Sequence, residues 1–195
     1  MPSKTTKKLS QIFGGLKGWP VNTYEGGFPV VQAMKNPAAQ SVTAVHAAIS
    51  LTTAIQKIAS AITNPDFPRA LSVQGNQSDV LADVVILGRD HAGKTISETI
   101  TASGLSTIEG NKAFAEVQSI TVPVRTATGQ TVSIGTTKKF GLYRPLCNGN
   151  VVDLLTVAGT IENAASVSDT YNTFAPTTSP DGTKTILVYY QTDIF

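Results

Sequence analysis

The chain has 195 residues, a net charge of +2, only 14% charged residues and a single cysteine, Cys147. That length suits one sizeable domain, or one domain plus an arm, with a core that needs no staples. One cysteine excludes an intrachain disulfide, and no stretch approaches the roughly 18 apolar residues that would span a bilayer.

Low charge with abundant Thr, Ser, Ala, Val and Ile suits β-sheets and surfaces covered by other subunits. Lys4, Lys7, Lys8 and Lys17 all precede the first acidic residue, Glu25. That basic start reads as a solvated or interface-bound tail. It lacks the aromatic interleaving that stacks on bases, so no direct nucleic-acid partner is expected. There is no signal-peptide-like apolar run, so cytosolic assembly is expected and secretion is not indicated.

Residues 1–41 are expected to form an extended N-terminal arm, and residues 42–195 a β-rich domain. Gly14, Gly15, Gly18, Gly26 and Gly27 prevent a long helix, and Pro20, Pro29 and Pro37 favour extended backbone. The arm is nonetheless too apolar for a plain disordered tail. Phe13, Leu16, Trp19, Tyr24 and Phe28 are therefore the candidate partner-binding residues, docking on the chain's own core or on a neighbouring subunit.

Residues 42–62 mix helical spacing with alternation at Ile49, Leu51, Thr53 and Ile55, and are read as two strands. Further strands are expected at Leu71 to Gln74, Asp83 to Leu87, Thr95 to Thr101, Glu116 to Val122 and Thr131 to Ile134. Three more follow, at Val151 to Val157, Ile161 to Val167 and Thr185 to Gln191. Turns such as QGNQSD, RDHAGK, EGNK, TATGQ, CNGN and SPDGT separate them. Many short strands with regular turn signals give a mainly β fold, an antiparallel sandwich or barrel-like domain.

Gly88 to Thr95 reads GRDHAGKT, a full match to the phosphate-loop string G-x-x-x-x-G-K-[ST]. In a nucleotide hydrolase, Lys94 would reach the outer phosphates and Thr95 would ligate Mg²⁺. Such a loop must open a helix. The following TISETITASG reads as a strand, so the string is expected to be a hairpin, with nucleotide binding a remote alternative. His46, His91 and Cys147 show no metal-ligand spacing, and Cys147 has no activating histidine nearby. Glu98, Glu109, Glu116, Asp83 and Asp90 read as solvated carboxylates at turns and strand ends. No catalytic residue, metal or cofactor is expected.

The run NPDFPRALSVQGN, the segment DVVILGRDHAGKTISETITASGLSTIEGNKAFAEVQSITVPVRT and the closing NTFAPTTSPDGTKTILVYY resemble a group of tailed-phage virion proteins. The resemblance covers roughly residues 60–191, and EGNKAF is its most specific piece. It implies a non-enzymatic virion protein, first a capsid decoration (cement) protein. Such a protein binds the major capsid protein lattice, or other virion subunits, as a homo-oligomer or lattice-bound copy. A ring-forming neck, tail-tube or baseplate subunit is the alternative. A receptor-binding module is a third class, and would usually need an exposed aromatic or metal site. No membrane partner is expected.

Overall fold

A computed structural model of the protein describes residues 27–146, 152–162 and 166–193, and these are all-β. The expected antiparallel, sandwich- or barrel-like β fold is observed, with three sheets, one of them curled into a half-barrel.

Sheet A holds β1 (Gly27–Met34), β14 (Ile186–Asp193), β10 (Val152–Val157) and β11 (Thr160–Glu162), in that order. Sheet B runs β12 (Ser166–Ser168), β13 (Thr173–Ala175), β9 (Thr131–Gly141), β4 (Arg69–Gly75) and β7 (Ile108–Glu109), with β2 (Ser41–Ser50) also on β9. Sheet C is β3 (Gln56–Ile58), β8 (Glu116–Val122), β5 (Asp83–Arg89) and β6 (Thr95–Thr101). All named pairings are antiparallel.

Two apolar clusters follow from strand alternation. The first lies between sheets B and C, where Leu71, Val73, Val132 and Ile134 meet Val84, Ile86, Ile120 and Phe114. The second joins sheet A to the far end of sheet B, through Met34, Val188, Tyr190 and Leu155 against Phe140, Leu142 and Phe174. Strand β9 serves both, with Val132 and Ile134 in one cluster and Phe140 in the other. The register of β2 on β9 shifts between Ser41 and His46, and the strand crosses Gly135 closely. A Cβ there would collide with the Ser41 carbonyl and the Val42 backbone, so glycine is required.

Several expectations are refined. The two strands within residues 42–62 are β2 and β3. The expected strand at Thr131 to Ile134 continues to Gly141, because Thr137 and Lys139 find internal partners: the Thr137 hydroxyl donates to Ala70 O, and Lys139 Nζ donates to Gly110 O. The expected Ile161 to Val167 strand is instead two strands in different sheets. A two-residue turn, Ala158 and Gly159, both at positive φ, folds β11 back on β10. The Glu162 carboxylate then accepts the Thr177 and Thr178 amides at 2.6 and 2.8 Å.

The expected boundary after residue 41 falls beside the junction between β1 and β2. The described end of the expected arm is an ordered strand on the chain's own sheet, with Gln32 and Met34 buried. Pro29 is tolerated because β1 is an edge strand. Phe13, Leu16, Trp19 and Tyr24 lie outside the described residues, as does Cys147. Of Phe28, the backbone pairs with Thr192.

Two turn segments far apart in the chain meet in the core. Arg69, from NPDFPR, and Phe114, from EGNKAF, exchange backbone hydrogen bonds at 3.2 and 3.0 Å, and both are fully buried. The Glu98 carboxylate accepts the Asn111 amide at 2.7 Å and so holds the EGNK turn against β6.

Candidate binding groove

The GRDHAGKT string joins β5 to β6 as a tight hairpin. Asp90 organises it: its Oδ1 accepts the amides of Ala92 at 2.9 Å and Lys94 at 3.0 Å. The Asp90 amide donates to Lys94 O, and Gly93 N donates to Asp90 O, each at 3.0 Å. The amides a phosphate would need are thus bound to a carboxylate, and a strand follows where a phosphate loop opens a helix.

The hairpin tip instead forms one wall of a groove of about 630 Å³. Gly141 and Leu142 at the end of β9 line it with Pro68 and Ala113, as do Tyr143, Arg144 and Tyr171. Tyr143 and Tyr171 are 39% and 42% exposed. His91, from the hairpin, stacks on Tyr143 with centroids 5.2 Å apart and planes 20° apart. Lys112 is on the rim, its Nζ donating to Ser97 O at 2.7 Å.

Side chains of β1, β14 and the turn between β12 and β13 fix the Tyr143 segment in place. Gln32 of β1 donates to Gly141 O at 3.0 Å and accepts the Tyr143 amide at 2.9 Å. The Tyr190 hydroxyl accepts the Arg144 amide at 3.0 Å. Asn172, at φ 52°, donates from Nδ2 to Leu142 O at 2.9 Å and accepts the Leu146 amide at 3.2 Å. Removal from water pushes the Tyr190 phenol above its ordinary value, against the lowering effect of the Arg144 and Tyr143 amides. A segment whose main-chain groups are met one by one presents its side chains with little conformational freedom left to lose.

The other candidate groups are dispersed. Asp83 accepts the Thr101 hydroxyl at 2.6 Å, and Glu116 lies 3.9 Å from Arg89 at the surface. His46 Nδ1 is 2.7 Å from Ala47 O on β2. Among the described residues no three of His, Cys, Asp and Glu cluster as metal ligands, and no helix is long and apolar enough to cross a membrane. The groove went unseen in the sequence because its aromatic residues come from turns far apart in the chain. The one local signal was an aromatic and an arginine before a proline, in the run YRP at 143–145.

No protein-family model, curated protein or solved structure matches the chain.

Proposed function

We propose that the protein is a structural subunit of a tailed-phage virion, a capsid decoration protein that binds the major capsid protein lattice and stabilises the head. The virion assignment rests on the sequence resemblance over roughly residues 60–191. The observation that carries a binding role is the fixed groove lining: Tyr143 and Arg144 on a clamped segment, with Tyr171 in the same groove. Tyrosine and arginine are the residue types that dominate interface energetics, above all when they are held rigidly. Contacts repeated at many copies would add up over the lattice to resist the pressure of packaged DNA.

Copy number in purified particles tests this. A decoration protein is present in a fixed ratio to the major capsid protein over the whole head. A small ring-sized copy number would assign the chain to the neck or tail instead, and absence from particles would end the virion reading.

A further inference from the structure

The groove beside the 89–95 hairpin is unbalanced in charge. Among the described residues its charged lining is Asp90, Lys112 and Arg144. Asp90 is already engaged, its Oδ1 accepting the amides of Ala92 and Lys94. Neither cation has a carboxylate partner: the ion pairs among the described residues are Arg69–Asp66, Arg89–Glu116 and Lys184–Asp181. Lys112 Nζ donates to Ser97 O and, as an ammonium, has further donors to offer. Arg144 is exposed, while its amide is fixed to the Tyr190 hydroxyl.

Beside these cations the lining is apolar and aromatic, with Ile96, Leu142, Tyr143 and Tyr171. His91 stacks on Tyr143 and holds that ring in place. A volume of about 630 Å³ lies within the range of specific ligand sites. The planar guanidinium of an arginine matches a carboxylate with two parallel hydrogen bonds. Two unpaired cations on an aromatic lining thus favour a ligand that carries carboxylates beside apolar surface. A nucleic-acid backbone engages many cations at once, and this groove has two.

We infer that the groove takes an acidic segment of a partner protein, with carboxylates on Arg144 and Lys112 and an apolar side chain against Tyr143 and Tyr171. The inference rests on the binding role proposed for this groove and adds the chemistry of what it binds. Lys94, the lysine of the GRDHAGKT string, is not in the lining and takes no part.

Two capped pentapeptides test this, one alternating glutamate with leucine, the other alternating lysine with leucine. Each is titrated into the full-length protein and followed by the NMR signals of residues 141–144 and of the His91 and Tyr171 rings. The glutamate peptide is expected to shift these signals saturably, with an affinity that falls as salt is raised. Arg144→Glu and Lys112→Gln should weaken it about five-fold and about three-fold, and Lys94→Glu by less than about two-fold. Arg144→Glu should also gain affinity for the lysine peptide, which loss of fold could not produce. Equal shifts with both peptides overturn the inference, as do no shifts with either, or an Arg144→Glu protein that binds the glutamate peptide as before. An oligothymidylate that displaces the glutamate peptide more strongly than unlabelled peptide does assigns the groove to nucleic acid and overturns it. Signals that move with protein concentration alone assign it to a second copy, with the same result. Copy number in particles is read separately. A glutamate preference in a protein absent from particles upholds the inference and ends the virion reading; a groove indifferent to peptide charge in a protein present at the lattice ratio does the reverse.

Discussion

The Arg69 guanidinium carbon lies 4.6 Å from the centre of the Phe140 ring, in a site with no solvent exposure. The cation is held by three acceptors: Thr137 O at 2.8 Å, Ala38 O at 3.1 Å and Asp66 Oδ1 at 2.9 Å. Burial lowers the Arg69 pKa, and Asp66 opposes that shift. Asp66 also accepts the Ala38 and Phe67 amides, so one carboxylate ties the β1–β2 connection to β4. Asp66→Ala leaves a buried cation short of its counter-charge. The expected cost is about 2–4 kcal/mol, below the fully buried range because the aspartate is partly exposed. Arg69→Met keeps apolar contact with Phe140 and removes the desolvated charge, so it should cost less. Urea midpoints of the two variants decide it; the reverse order would mean that the carbonyl hydrogen bonds outweigh the charge.

The hairpin at residues 89–95 gives a second pair of expectations. Lys94→Ala removes a side chain with no role in the turn and should stay within about 0.5 kcal/mol of the parent. Asp90→Ala frees the Ala92 and Lys94 amides and should cost about 1 kcal/mol. Thermal melts measure both. Titration with ATP and Mg²⁺ should give no binding that Lys94→Ala abolishes, and such binding would restore the phosphate-loop reading.

At the groove, Tyr143→Ser and Arg144→Glu act on the rim, leaving the clamped main chain intact. Each is expected to weaken attachment to particles by about 2 kcal/mol, near thirty-fold, with little change in melting temperature. Depletion of the variant from particles in a co-sedimentation assay reads this out. Unchanged occupancy for both would move the contact elsewhere on the surface.

Tyr190 makes stability fall in alkali. Its folded pKa is raised, so its contribution is fully present below the unfolded value of about 10 and is lost as pH rises through the higher folded value. In that window the unfolded phenol releases its proton while the folded one keeps it. Tyr190→Phe should be less stable near neutrality, having lost the acceptor for the Arg144 amide, but should lose less stability above pH 10. Parallel slopes for the two proteins from pH 9 upward would exclude Tyr190 as the group responsible.

Much of the fold was legible where one physical signal acted alone. The strands Thr95–Thr101 and Glu116–Val122 were read with their observed bounds, each lying between turn-forming segments. β1 was hidden because its glycine and proline resemble a tail, and only the edge position makes them acceptable. The far half of β9 was hidden by Gly135, Lys138 and Lys139, which suggest a turn until neighbouring strands supply their partners. The burial of Arg69 has no pattern in the sequence beyond Asp66, three positions earlier. The groove was illegible because Gln32 and Tyr190, which clamp it, are brought to Tyr143 only by the closure of sheet A.

The pairing of β1 with β14 ties the order of synthesis to the order of folding. Every residue of β1 finds its partner in β14, so β1 must wait, unpaired on that side, until residues 186–193 have left the ribosome. Sheets B and C hold most of their strands by residue 141 and can assemble earlier. Sheet A is therefore the slow, final step, and it depends on long-range contact. Loss of residues 186–193 would release β1 as well. With β1 would go Gln32 and the clamp on Tyr143, so the fixed groove depends on β14, more than forty residues further along the chain.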